Sequence, residues 1–381
     1  MIPVENKPLA PFTTFGIGGP ARWFAEATSE EDVAEAAVWA EERGVPLFVL
    51  GGGSNLLVSD AGFDGLVLHV GLRGIAAAPV EDQDYRSSRI PEEHTSGAKA
   101  PFDSGGIDVR AKALTYQVAA GEDWEHFVQR AIEDHCAGVE CLAGIPGTVG
   151  GTPVQNVGAY GQEVASVIER VRAFDLPERA YVEFSAAECG FAYRRSRFNS
   201  TDRGRYIVTR VDYRLTPGGA PTVRYVELQR VLAEQGTEDP SLAEVAAAVR
   251  RLRRSKGMLL VEGDPECRSA GSFFKNPIVA EEQVKAIAEH SGKEPPRFPA
   301  GSGAQDPGRV KVPAAWLIEQ AGFTKGYALG KAGISSRHTL ALVNRGGATA
   351  AEVMALASQI TAAVEERFGI QLEMEPVMVG F

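Results

Sequence analysis

Residues 142–161 constrain this chain more than any other stretch. They read Leu-Ala-Gly-Ile-Pro-Gly-Thr-Val-Gly-Gly-Thr-Pro-Val-Gln-Asn-Val-Gly-Ala-Tyr-Gly, with six glycines and two prolines among apolar residues and amides. Such a density of Gly and Pro disfavours both a helix and a strand interior. A loop this long belongs in a compact domain when it wraps something. A cofactor-lining loop therefore accounts for it better than a plain connector. A second glycine block, Gly51-Gly52-Gly53-Ser54-Asn55, lies between a short apolar strand at 45–50 and Leu56-Leu57-Val58. The spacing is not GxGxxG, and Leu56-Leu57-Val58 reads as strand or turn rather than helix, so a Rossmann fingerprint is excluded. Two readings remain for this block: a plain tight turn, or a turn that presents several amide N–H groups to a pyrophosphate.

A third stretch is Ser269-Ala270-Gly271-Ser272-Phe273-Phe274-Lys275-Asn276-Pro277. Small residues let a backbone approach a ligand, and the aromatics can wall off water. Ser272, Lys275 and Asn276 are groups of the kind that grip an anion. Locally this is equally a Gly-Ser turn entering a buried strand.

Around these blocks the periodicity predicts alternating strands and helices. A helix starts at Ser29, with acids in its first turn, and ends at Gly44. Trp124, Phe127, Val128, Ala131 and Ile132 give helical spacing, with His126 and His135 on the surface of that helix. Asp239-Pro240 caps and starts another helix, whose cationic end, 250–256, suits a helix C-terminus. Helices are predicted at 281–290, 313–321 and 350–368, with a Pro/Gly-rich loop at 292–310 between the first two. Strands are predicted at 21–25, 65–70, 114–121, 167–174, 181–184 and 205–215, and the end of the chain, 372–381, reads as a strand. Residues 76–112 lack hydrophobic periodicity and read as a mobile surface insertion, with His94 solvated. Phe191-Ala192-Tyr193-Arg194-Arg195-Ser196-Arg197-Phe198 is a surface basic patch or a site that sets one Arg beside an anion.

With 381 residues the chain exceeds a single core, so two or three domains are expected. No apolar run approaches the ~18 residues of a membrane span, and the N-terminus has no signal layout. Cys136, Cys141, Cys189 and Cys267 form no CxxC pair, which argues for reduced thiols in a cytoplasm and no zinc or other metal site. A net charge of −11 argues against nucleic acid and membrane surfaces as partners. A phosphate-bearing ligand must then be gripped by local cations and amides.

Taken in order, Thr14-Phe15-Gly16-Ile17, the block 51–55, Ile145-Pro146-Gly147-Thr148-Val149-Gly150-Gly151, the run 153–161, Tyr193-Arg194, the run 271–277 and Leu372-Glu373-Met374-Glu375 resemble the bacterial UDP-N-acetylenolpyruvoylglucosamine reductases, the MurB family. The loop 292–310 and Tyr225 resemble the family form with a substrate-closing tyrosine and an extra loop. The resemblance implies an α+β chain: an FAD-binding fold of the vanillyl-alcohol-oxidase type made of two α+β subdomains, 1–73 and 74–256, then a third α+β, substrate-binding domain at 257–369. The terminal strand, 370–381, is expected to return to the second subdomain. It also implies that NADPH reduces the flavin and that the flavin reduces the enolpyruvyl ether of UDP-N-acetylglucosamine to UDP-N-acetylmuramate for peptidoglycan.

By the same resemblance Ser272 is the proton donor, with Arg194 and Glu375 as its partners. Gly51, Gly52, Gly53, Ser54, Asn55, Ile145, Pro146, Gly147, Gly150, Gly151, Gln155, Asn156, Gly158, Ala159, Tyr160 and Arg253 fall to the flavin. Tyr193, Tyr225, Lys256, Asn276 and Lys325 fall to the substrate. Phe298 stands where the family form has a loop tyrosine, so an aromatic contact survives there but a phenol hydrogen bond does not. Pro376 comes just after the acid, where an apolar strand residue is expected; it removes a ladder N–H and implies a different hold on Glu375. None of the six histidines stands as a covalent flavin anchor, so FAD is expected to bind non-covalently, in a monomer. Two rivals stay open. One is another oxidoreductase on the same flavin fold, which the 269–277 stretch fits less well. The other is a non-catalytic flavin or nucleotide-sugar binder, against which Ser272, Arg194 and Glu375 together speak.

Overall fold

A computed structural model of the chain describes residues 2–79, 113–299 and 308–381. The first layer is set by strands β1 (Val4–Pro8) and β2 (Pro20–Ala27), which pair antiparallel. Helix α1 (Glu30–Glu42) comes next, opened by a capping box in which Ser29 and Asp32 exchange backbone-to-side-chain hydrogen bonds. Its buried face is Val33, Ala36, Ala37 and Ala40, small enough for close approach to the sheet. Gly44, at φ 62°, supplies the left-handed turn into β3 (Leu47–Leu50). Then come β4 (Leu56–Val58) and β5 (Phe63–Val70), and the sheet runs β1-β2-β5-β3, with β5 parallel to both neighbours.

The second layer begins at β6 (Ile75–Pro79) and β7 (Leu114–Ala119), then continues through α2 (Trp124–Glu133), β8 (Cys136–Ala137), β9 (Gly158–Ala159), β10 (Gln162–Glu163), β11 (Ile168–Asp175), β12 (Ala180–Ser185) and β13 (Tyr206–Pro217). Its antiparallel sheet runs β12-β11-β13-β7-β6, with β8 on the end of β13. Trp124, Phe127, Val128 and Ala131 of α2 are buried, and the Phe127 ring lies 4.8 Å from that of Tyr213 on β13. Helices α3 (Val226–Glu234) and α4 (Leu242–Ser255) complete this part.

Some expectations from the sequence change here. Residues 76–79 are not part of a surface insertion; they pair with β7, Ala77 opposite Tyr116. Residues 80–112, His94 included, lie outside the described residues. His135 sits just past α2 rather than on it, at φ 56°. Helix α4 starts one residue after Ser241, whose hydroxyl accepts from Glu244 N at 3.3 Å, so Ser241 and not Asp239-Pro240 is the cap. Helix α3 is an addition to the expected elements, because only Leu228, Val231 and Leu232 mark its buried face, after exposed Tyr225 and Val226.

The third part holds β14 (Ile278–Ala280), α5 (Glu281–Ser291), β15 (Phe298–Pro299), β16 (Arg309–Lys311), α6 (Ala314–Gln320), β17 (Ala328–Leu329), β18 (Ala332–Ile334), β19 (Leu342–Asn344) and α7 (Ala350–Phe368). Two small antiparallel sheets, β14-β16-β15 and β17-β18-β19, are joined by these helices. Val353, Leu356, Ala357, Ile360 and Val364 of α7 fill the core at helical spacing. Phe15, Ile17 and Leu57 from the N-terminal part belong to the same cluster. Asp60 binds the α7 N-terminus, accepting from Ala350 N at 2.8 Å and Ala351 N at 3.0 Å, a carboxylate at the positive end of the helix dipole.

The terminal strand β20 (Val377–Val379) runs parallel to β4, in the N-terminal part, instead of returning to the second. The reason is local. Lys275 N donates to Glu373 O and Glu375 N to Phe273 O, both at 2.9 Å, so the chain end is zipped along 273–275 and enters beside Asn55. Pro376 falls between Glu375 N and Val377 N, the two amides that donate, and its missing N–H removes no bond from the ladder. The expected disturbance of Glu375 is therefore absent. Among the described residues no helix is long and apolar enough to cross a membrane.

Candidate active site

The two glycine blocks meet backbone to backbone. A Cβ on Gly52 would lie 2.5 Å from Gly147 Cα, and one on Gly53, at φ +61°, would lie 1.7 Å from Phe12 O. Only glycine permits this approach. Beside the junction lies a cavity of about 580 Å³. Residues 51–55, 145–147, 150, 151, 155 and 158 line it, with Arg253, Ser272, Arg194 and Glu375. A Cβ on Gly151 would meet nothing within 4 Å, so this wall is open to a ligand. The N–H groups of Gly53 and Ser54 donate to no acceptor among the described residues. Leu47, Val49, Leu176 and Val208 add apolar wall. Unclaimed amides for phosphate oxygens and apolar wall for rings fit a flavin dinucleotide.

Arg253 is buried and tied by Nε to Gly144 O (2.9 Å) and by Nη2 to Met258 O (2.7 Å), which fixes a cation at the base of the 144–151 loop. Burial pulls its guanidinium pKa down. Asn55 Nδ2 donates to Gln155 Oε1 at 2.6 Å, joining the two blocks through side chains. Three expected cofactor residues, Asn156, Ala159 and Tyr160, lie off the cavity wall. Asn156 is 1 % exposed, and its amide is spent on Glu163, Ala192 O and Ala165 N.

Arg194 stands in a tight turn closed by reciprocal hydrogen bonds between Ala192 and Arg195. Its φ of 54° is left-handed, a conformation that disfavours a branched or bulky side chain. The turn aims the guanidinium at three acceptors: Gly158 O at 2.7 Å, Asn156 O at 3.3 Å and Glu375 Oε1 at 3.1 Å. Glu375 is largely buried, and desolvation raises its carboxyl pKa despite the opposing charges of Arg194 and Lys275.

Ser272 sits between Gly271, at φ +72°, and the fully buried Phe273 and Phe274. Phe273 N donates to Leu340 O at 2.7 Å, fixing the backbone beside it. The Ser272 hydroxyl lines the cavity and has no hydrogen-bond partner among the described residues. Lys275 pairs with Glu373 and also lines the cavity. Asn276 turns away from it: its Oδ1 accepts from Ala314 N at 2.9 Å, capping α6, and its amide contacts Tyr193. Lys311, which no sequence signal singled out, places its ammonium 4.5 Å from the Tyr193 ring centre and near Arg194. Burial and Arg194 lower its pKa. Phe298 lies opposite Lys311 in the β15–β16 ladder, half exposed.

A second cluster gathers the other expected substrate residues. The Tyr160 and Tyr225 rings meet edge-on at 5.4 Å, and Lys256 Nζ stands 5.6 Å over Tyr160 and 2.6 Å from Glu227. Lys325 reaches the same neighbourhood through His338, whose pKa is pushed down to about 4 by burial and by Lys256 and Lys325. Neither Glu227 nor His338 carries a spacing that would have marked it.

Comparison with known proteins places this geometry. Residues 264–379 match the family "UDP-N-acetylenolpyruvoylglucosamine reductase, C-terminal domain". Residues 21–84 and 104–180 match "FAD binding domain". The chain is 43% identical over 385 residues to the UDP-N-acetylenolpyruvoylglucosamine reductase of Streptomyces coelicolor, covering 99% of this chain and 90% of that one. It is 44% identical over 383 residues to the reductase of that name from Thermobifida fusca, covering 99% and 98%. The solved MurB reductase of Thermus caldophilus superposes with a TM-score of 0.61 at 26% identity, over 99% of this chain and all of that one. The α+β architecture thus joins an FAD-binding domain to the C-terminal domain of the reductases. This chain belongs to the MurB family of UDP-N-acetylenolpyruvoylglucosamine reductases, flavoprotein oxidoreductases that use FAD.

Proposed function

We propose that this chain reduces the enolpyruvyl ether of UDP-N-acetylenolpyruvoylglucosamine to the lactyl ether of UDP-N-acetylmuramate, a peptidoglycan precursor, with NADPH as reductant. The observation that carries this reading is the convergence of Ser272, Arg194 and Glu375, from three distant segments, on the cavity that both glycine blocks line. Residues 51–55 and 145–151, with Arg253, would hold FAD non-covalently. FAD, when bound, supplies the hydride that the vinyl group accepts.

Addition at the terminal vinyl carbon leaves negative charge on the neighbouring carbon, shared with the carboxylate. Arg194 opposes that charge from a position held by hydrogen bonds to the backbone carbonyls of Asn156 and Gly158. Lys311 adds a second, partly desolvated cation nearby. Ser272 gives its proton to the carbon. Its hydroxyl is uncommitted to the protein, and Phe273 and Phe274 behind it exclude water. Glu375 orients the guanidinium through Nε. Tyr193, Tyr225, Lys256, Lys325 and Asn276 bind the nucleotide sugar, with Asn276 acting through Tyr193 and α6. Segments 1–73 and 74–256 form the two flavin subdomains and 257–369 the substrate domain, in a cytoplasmic monomer.

The test is anaerobic spectrophotometry of the purified yellow protein. NADPH bleaches the flavin, and UDP-N-acetylenolpyruvoylglucosamine restores it without oxygen. Recovery with oxygen alone removes the proposal in favour of an oxidase.

A further inference from the structure

Glu140 is 1 % exposed, and no Lys, Arg or His pairs with it among the described residues. A carboxylate so placed is tolerated only when its oxygens are fully hydrogen-bonded. Three donors satisfy it, each from a different segment: Gly138 N at 2.8 Å, Gln162 Nε2 at 2.7 Å and Thr222 N at 2.7 Å. Gln162 is itself oriented, because its Oε1 accepts from Cys141 N at 2.8 Å. Cys141 Sγ adds a contact to Thr222 O at 3.0 Å.

These donors flank two aromatic residues already described. Gln162 belongs to β10, which pairs with β9 around a two-residue turn, Tyr160 at φ 48° and Gly161 at φ 86°. Thr222 belongs to an extended connector, residues 219–225, that joins no sheet and leads to Tyr225. The Gly161 turn packs on Arg224 and Tyr225: a Cβ there would lie 3.6 Å from Arg224 Cβ. No β-ladder links hairpin to connector among the described residues, so the Glu140 carboxylate, with Cys141 beside it, makes the polar joint between them.

We infer that Glu140 is a positioning residue for substrate binding: it fixes the Tyr160–Tyr225 aromatic pair by tying the 158–163 hairpin to the 222–225 connector. The inference rests on the reading that Tyr225 touches the substrate. Glu140→Met keeps the approximate size but removes both acceptor oxygens; a Gln there would keep the one oxygen, Oε1, that takes both Gln162 Nε2 and Thr222 N, and would lose only Gly138 N.

The experiment uses the full-length, FAD-loaded enzyme. Hydrogen–deuterium exchange is measured for peptides spanning 157–163 and 219–226, together with steady-state kinetics in UDP-N-acetylenolpyruvoylglucosamine. For E140M, both peptides exchange faster and KM rises about tenfold, the equivalent of one lost buried hydrogen bond, while kcat and flavin content stay near wild type. A merely structural role lowers thermal stability and leaves KM alone. Gln162→Met, a milder change, moves KM in the same direction and keeps the test decisive if E140M does not fold. Unchanged exchange, or faster exchange with unchanged KM, overturns the proposal. Tyr225→Ala separates the two layers. A raised KM there with an unmoved KM in E140M removes Glu140 alone; an unmoved KM in Y225A removes the Tyr225 reading and this proposal with it.

Discussion

Replacing Arg194 by Lys keeps the charge and the left-handed backbone but not the fork. The guanidinium reaches three acceptors, Gly158 O at 2.7 Å, Asn156 O at 3.3 Å and Glu375 Oε1 at 3.1 Å. A lysine ammonium on a shorter, point-like head keeps one of them. Two charge-assisted bonds are lost, each worth roughly 1.5–3 kcal/mol. The low end, about 3 kcal/mol in total, corresponds to about 10²-fold in rate. Under the proposed function that loss is expected in the step in which negative charge develops on the substrate, not in hydride transfer from NADPH. Anaerobic stopped-flow separates the two half-reactions by flavin absorbance. R194K is expected to reduce with NADPH near the wild-type rate and to reoxidise with UDP-N-acetylenolpyruvoylglucosamine about 10²-fold more slowly. Equal slowing of both half-reactions shows a disturbed flavin site, and an unchanged second half-reaction refutes the role given to the guanidinium.

Three further outcomes are expected. Ser272→Ala keeps flavin reduction by NADPH and loses most turnover of the enolpyruvyl substrate; unaltered turnover in a coupled assay removes Ser272 as proton donor. Gly53→Ala places a Cβ on Phe12 O at a left-handed φ and lowers the melting temperature, whereas Gly151→Ala, with open space before it, melts normally but retains less FAD through dialysis. His338 titrates near pH 4 when folded, against an ordinary value of 6.5, so between those values the unfolded chain binds more protons and stability falls as pH falls. Above 6.5 both states are neutral and the group leaves stability unaltered, and up to roughly 3 kcal/mol is lost by pH 4; His338→Gln flattens this acid limb in denaturant titrations, and an unaltered limb contradicts the assignment.

Much of the local structure is legible because it is written locally. The Ser29 cap, the small buried face of α1, the apolar stripe of α7 and the glycine blocks each declare themselves within a short run of residues. Helix α3 is not legible, since its short apolar face begins after exposed residues and its stability comes from packing on α4. The start of α4 is misleading because Asp239-Pro240 imitates the cap that Ser241 and Glu244 form.

The sequence by itself determined that the two glycine blocks are not a Rossmann fingerprint, and by resemblance it assigned them to a flavin and put Ser272, Arg194 and Glu375 into one site. Chain proximity carries no information about which distant groups share a wall. Only tertiary structure decided that the terminal strand joins β4, where residues 273–275 steer it, and that Pro376 sits between donating amides. It alone turned Asn156 and Asn276 inward to hold backbone, and it brought Lys311, Glu227, His338 and Glu140 beside residues far away in the chain. The physical reason is that a lone charged residue acquires meaning from burial and from its neighbours, and both are properties of the folded chain.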